Sequence, residues 1–219
     1  MSQKNNTPIV IGIAIAAVIA LIIGLNFGKK TEPEKNTKAQ EPDFLKEGLV
    51  AYYPFNGNAK DESGNGHNGE VKNAKLVDGI DMKENTAYFF DGQSSIIIDL
   101  ENIETDLFTY SLWVKIDELK NEPGWATFYN VRGDTNSHGM DWFGIGYGSG
   151  EGLHELRLHT KGVTEGVIDW LDTTKEDIPE IGKWSHCLCA FDGEKAVIYL
   201  DGKEVANSPL PQGRTISGS

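Results

Sequence analysis

Two cysteines, Cys187 and Cys189, are all that the 219 residues hold. At i and i+2 of one strand they share a face with nearly parallel Cβ vectors, a poor geometry for a mutual disulfide. The chain therefore has no intramolecular disulfide, and the pair reads as two small core hydrophobes. A zinc site would need two more ligands, and His186 falls on the other side of the same strand. No Gly-x-Ser-x-Gly elbow, phosphate-binding glycine loop or dinucleotide fingerprint occurs, which excludes the hydrolases and nucleotide enzymes built on them. Nor is there a Glu-x-Asp-x-Glu run that would set two carboxylates ~5 to 5.5 Å apart on one strand face for glycoside hydrolysis. Glu101, Glu104 and Asp106 are mispaced for that purpose, as are Glu151 and Glu155, so the expectation is a protein that is not an enzyme. No period of 20 to 50 residues repeats, which argues against solenoids and propellers.

Positive charge is scarce as well, with 20 Lys and Arg against 33 Asp and Glu. Lys4, Lys29 and Lys30 are the only charged residues among the first thirty, so the remainder carries a net charge of about −16. Such an excess repels phosphate backbones and excludes nucleic acid as a partner.

What is present begins with an apolar run. Ile9 to Leu25 holds nothing more polar than Gly and Ala, and residues 8–28 together match the ~20 residues a helix needs to cross a membrane. A cleaved signal peptide would have a shorter apolar core and a small-x-small site, which Leu25-Asn26-Phe27 does not offer. The expectation is a short tail at 1–7, a single-pass signal anchor at 8–28 and the C-terminal part outside the cell. Gly12, Ala16, Ala20 and Gly24 form a small-residue stripe along one helix face, which suits a homodimer through the membrane helix. Residues 29–47 are charged, contain Pro33 and Pro42 and have almost nothing apolar before Phe44, the composition of a flexible stalk. About 170 residues remain, enough for one domain with its own core, at 48–219.

That domain opens with GLVAYYPFNGNAKDESGNGHNG from Gly48 to Gly69. Leu49 to Phe55 reads as an apolar strand closed by Asn56-Gly57. Asp61, Ser63 and Asn65 then fall at every second position with Gly66 next, so three oxygen side chains converge as at the start of a calcium loop. The twelfth position from Asp61 is Lys72 where an EF-hand has Glu, so further ligands come from elsewhere, and the same residue types also serve plain turns. Near the other end, Trp184 to Phe191, Ala196 to Leu200 and Lys203 to Ala206 are separated by Asp192-Gly193 and Asp201-Gly202, a three-strand antiparallel meander.

With YFFDGQSSIII from Tyr88 to Ile98 and YSLWVKI from Tyr110 to Ile116, these motifs stand in an order and spacing that resembles the laminin-G-like, concanavalin A-like jelly-roll family over about Leu49 to Ser208. The resemblance implies an all-β, two-sheet antiparallel jelly-roll sandwich, often with a structural calcium ion, serving as a binding or adhesion module on a surface protein. It places Trp113 and Trp184 in the core. It also implies a further strand after the meander, so the sandwich is expected either to lack an edge or to continue past Ser219. Trp125, Trp142 and Trp170 lie instead beside polar loops. Sugars are held by an aromatic face with polar groups around it. Arg132, Asp134, Asn136, His138, Asp141, Trp142, Tyr147 and Trp170 are therefore the candidate carbohydrate site, the alternative being a polar loop over an ordinary sandwich edge. The partner is then a glycan, or a surface or matrix protein if the module only adheres.

Overall fold

The computed structural model describes residues 9–12, 49–99, 104–105, 108–119, 124–132, 140–147, 154–161, 168–191, 195–209 and 216–217. In chain order the strands are β1 (Ile9–Gly12), β2 (Glu70–Lys72), β3 (Lys75–Val77), β4 (Ala87–Phe90), β5 (Ser95–Ile97), β6 (Glu104–Thr105), β7 (Phe108–Ile116) and β8 (Gly124–Arg132). They continue as β9 (Met140–Tyr147), β10 (His154–Lys161), β11 (Ile168–Asp172), β12 (Trp184–Phe191), β13 (Lys195–Leu200), β14 (Lys203–Pro209) and β15 (Ile216–Ser217). A seven-strand sheet runs β14-β13-β12-β7-β1-β4-β3 and a four-strand sheet β11-β10-β9-β8, with β15-β6 and β2-β5 as small ribbons. Among the described residues the fold is all-β, its ladders antiparallel.

Alternation decides which face each strand buries. Leu112, Val114 and Ile116 of β7, with Cys187 and Cys189 of β12 and Ile198 of β13, point inward from the large sheet. Phe143 and Ile145 of β9, Leu156 and Leu158 of β10 and Leu171 of β11 meet them from the small sheet. Each large side chain buried here contributes about 1.5–3 kcal/mol. The small sheet bends at a bulge between Thr127 and Tyr129, which lets two consecutive aromatics face the core. Phe128 meets Phe143 edge-on at 5.7 Å, and the Tyr129 ring lies 4.0 Å from that of Tyr110 of the opposite sheet, tilted by 33°. The two thiols are fully buried, as their spacing implies, and burial pushes both well above the usual thiol range.

The meander folds as expected, β12-β13-β14, and Asp201-Gly202 makes its turn with φ of 50° and 79°. Both central residues in the left-handed region is what a tight hairpin demands. Asp192-Gly193 lies outside the described residues.

Three expectations are corrected. Leu49 to Phe55 forms no strand and belongs to no ladder. Its hydrogen bonds go instead to the following loop, and Tyr53, Phe55 and Ala59 bury with Tyr88 in a second, smaller core. Phe55 takes φ of 54°, which disfavours a bulky side chain by roughly 1–2 kcal/mol. Packing of its ring edge-on against Tyr88 at 5.0 Å offsets that strain. Trp113 is not core: between inward Leu112 and Val114 it stands half-buried on the outer face of the large sheet, its ring 5.2 Å from that of His186. Trp184, of the same parity as His186, is likewise half-buried on that face.

Ile9–Gly12, the start of the expected membrane span, form a strand between β4 and β7. The rest of residues 8–28, including Ala16, Ala20 and Gly24, and the stalk at 29–47 lie outside the described residues. Among the described residues no helix is long and apolar enough to cross a membrane.

Candidate functional site

Two places in the fold gather polar side chains, the loop after Phe55 and the outer face of the small sheet. In the loop, Asp61 is a hub. Its Oδ1 accepts from the backbone N–H of Tyr52 at 2.9 Å and of Ser63 at 2.8 Å, and its Oδ2 from the Ser63 hydroxyl at 2.9 Å and the His67 N–H at 3.0 Å. Partial burial alone would raise the carboxyl, but these donors outweigh it and hold its pKa at about 2. The Tyr53 hydroxyl closes the loop from inside, donating to the His67 carbonyl at 2.5 Å.

The three expected metal ligands share one hydrogen-bonded loop. Asn65 Nδ2 donates to the carbonyls of Leu49 at 2.8 Å and Val50 at 2.9 Å, and the Ser63 hydroxyl, 3.3 Å from the Val50 carbonyl, links that pair to Asp61. Turning the Asn65 amide over would aim its oxygen at two carbonyl oxygens, an arrangement only a cation tolerates. The donor set is all oxygen with one carboxylate, which fits a hard cation such as calcium. The Leu49 and Val50 carbonyls join this network, which side-chain spacing could not reveal. Among the described residues no group of three or more His, Cys, Asp and Glu could hold a metal.

On the small sheet, core-facing residues alternate with a polar outer set. Cross-strand register brings Trp142 of β9 and Trp170 of β11 directly opposite His159 of β10, one on either side. The adjacent row holds Asp172, Arg157, Gly144 and Thr127, and the next Glu155, Gly146 and Trp125. Arg157 Nε donates to Asp172 Oδ1 at 2.5 Å and Nη2 to Asp172 Oδ2 at 2.8 Å, while Nη2 also donates to Glu155 Oε1 at 2.7 Å. Burial raises the pKa of the Glu155 carboxyl, the Asp172 charge adds to this and Arg157 opposes it. His159 is buried at 7% exposure. Gly144 is a steric requirement, since a Cβ there would come within 2.4 Å of the Ala126 carbonyl oxygen next to the bulge.

The expected carbohydrate residues are thus divided. Trp142 and Trp170 share a row, and Arg132, opposite Met140, shares their face one row beyond. Asp141 has the opposite parity, that of core-facing Phe143, and Tyr147 stands at the far end of β9, about 16 Å along the strand from Trp142. Asp134, Asn136 and His138 lie outside the described residues. Arg157, His159 and Asp172, on the same face, were not among the expected residues, although HELRLHTK carries Arg157 and His159 at every second position beside Leu156 and Leu158 and IDWLD carries Asp172 after Leu171.

The outer face of the large sheet carries a contact of catalytic appearance. Ser111 Oγ lies 2.7 Å from His186 Nε2. Asp201, however, accepts from the backbone N–H of His186 at 2.7 Å rather than from its ring, so among the described residues no carboxylate orients the imidazole. The contact ties β7 and β12 to the Asp201-Gly202 turn.

Two antiparallel sheets closed over a shared core, with an outer face of alternating polar and aromatic positions, define a lectin-type β-sandwich. Residues 90–219 match the laminin G family model described as the concanavalin A-like lectin/glucanases superfamily, and the chain belongs to that family. Among solved structures it is similar to domain 4 of AbnA, a GH43 extracellular arabinanase from Geobacillus stearothermophilus, in complex with arabinotriose. The TM-score is 0.53, with 22% identity over 75% of this chain and 77% of that one, a likeness of fold. No curated protein matches the chain.

Proposed function

We propose that the chain is a carbohydrate-binding module displayed at the cell surface, which binds glycans without turning them over. The observation that carries this is the row Trp142–His159–Trp170 beside the Glu155–Arg157–Asp172 cluster, aromatic positions and hydrogen-bonding groups on one sheet face. The similar arabinanase domain, solved with arabinotriose, adds support. Residues 8–28 serve as a single-pass anchor in this reading, which requires Ile9–Gly12 to leave their place between β4 and β7, and their small-residue stripe suits a homodimer. A calcium ion held by Asp61, Ser63, Asn65 and the Leu49 and Val50 carbonyls is its structural cofactor.

The test is a glycan array read with the full chain in detergent, in calcium and in EDTA. Retention of neutral plant or cell-wall oligosaccharides in calcium, lost in Trp142→Ala at unchanged melting temperature, is the expected result. Calcium should also raise the melting temperature of the native chain and not of Asp61→Ala, because only the folded loop holds the ion. An array empty under both conditions would leave a structural or protein-adhesion module. The remaining reading is a glycoside hydrolase, and release of reducing sugar from a polysaccharide would move the chain to that class.

A further inference from the structure

Arginine on a sugar-binding face reads acidic sugars when its planar fork is open, because two parallel N–H bonds match a carboxylate or sulfate. Arg157 uses that fork inside the protein. Its Nε and Nη2 hold both oxygens of Asp172, and Nη2 also holds Glu155. Side-chain exposures of 20% for Arg157 and Glu155 and 33% for Asp172 keep the cluster partly shielded from water, where charges interact more strongly than in bulk. One guanidinium against two carboxylates leaves the spot with an excess negative charge, on a chain of net charge −13.

Among the described residues the neighbouring strands place no Lys or Arg directly across from the cluster. Opposite Arg157 and Glu155 stand Gly144 and Gly146, and beyond them on β8 Thr127 and Trp125. Lys161 and Arg132 share the face four residues along from Arg157, about 13 Å away and beyond a Debye length at physiological salt, on the far side of the Trp142–His159–Trp170 row. We propose that the end of this face beside the Glu155–Arg157–Asp172 cluster is specific for neutral sugar units, and that the cluster rejects uronate, sialate and sulfate there while its carboxylates accept hydrogen bonds from sugar hydroxyls. The inference rests on the glycan-binding reading and names its ligand class.

The experiment compares neutral arabino-oligosaccharides with oligogalacturonates and sulfated oligosaccharides of equal length, titrated into the full chain in detergent. The native chain should bind the neutral series at least ten times more tightly. In the double variant Glu155→Gln, Asp172→Asn, whose amides keep the shape but remove both charges, that ratio should fall by ten or more. Should the variant fail to fold, the native ratio decides alone. Acidic sugars bound by the native chain as tightly as neutral ones would overturn the selectivity and leave carbohydrate binding standing. No binding of either series would overturn both.

Discussion

Each outer face of the sandwich carries a Trp–His cross-strand pair, and the two differ in what stands beside it. On the large sheet Trp113 faces His186, whose ring is held by Ser111 and whose backbone is held by Asp201. On the small sheet His159 has a tryptophan opposite it on both sides, and the next row is a guanidinium shared by two carboxylates. The first arrangement is knit internally, Ser111 to the His186 ring and Asp201 to the His186 backbone beside the Asp201-Gly202 turn. The second concentrates charge, and a carboxylate with several lone pairs retains capacity to accept from a ligand. The same residue pair becomes a staple or, in the function proposed above, part of a recognition surface according to its neighbours.

The broadest way to break the comparison is to remove what both faces share. Phe143→Ala empties a fully buried position between the sheets and should cost about 3–5 kcal/mol in chemical denaturation, taking both faces with it. A sharper cut is Arg157→Met, which strands two partly shielded carboxylates. It should cost about 2–3 kcal/mol and abolish glycan binding, whereas Lys115→Met on the large sheet, whose pair with Asp117 is long at 3.8 Å, should change stability by less than about 0.5 kcal/mol. Equal effects from the two substitutions would erase the distinction between the faces.

A more local effect belongs to the loop, away from both faces. Asp61→Asn should cost about 1–2 kcal/mol at neutral pH by weakening hydrogen bonds to a charged acceptor. The Asp61 pKa falls from an unfolded ~3.9 to about 2, so its contribution is complete above pH ~4 and disappears as pH drops through 2. Melting curves of the native and Asn chains should therefore converge on acidification across that window while glycan binding at neutral pH persists in both.

The elements legible in the sequence were those whose signal is local. Asp-Gly between alternating strands gave the Asp201 turn, and i, i+2 spacing put Cys187 and Cys189 in the core. Legibility failed where the partner is distant. Leu49 to Phe55 has strand composition, yet its N–H and carbonyl groups pair with a loop 9 to 16 residues on, which composition does not encode. Trp113 alternates with core residues and so had to face outward, but its aromatic character pulled the expectation inward. Arg157 and Asp172 stand 15 residues apart and meet only through the β10–β11 register.

The two buried thiols make the sandwich its own clock. A thiol reacts as the thiolate, and Cys187 and Cys189, shut between the sheets with that form strongly disfavoured, offer an alkylating reagent almost nothing while the fold is closed. Any labelling must await separation of the large sheet from β9 and β10. At reagent concentrations where reclosing outpaces modification, the alkylation rate reads the free energy of that opening; at higher ones it reads the opening rate itself. With no other cysteine in the chain, a mass shift of one or two adducts counts parted sandwiches without any engineered probe.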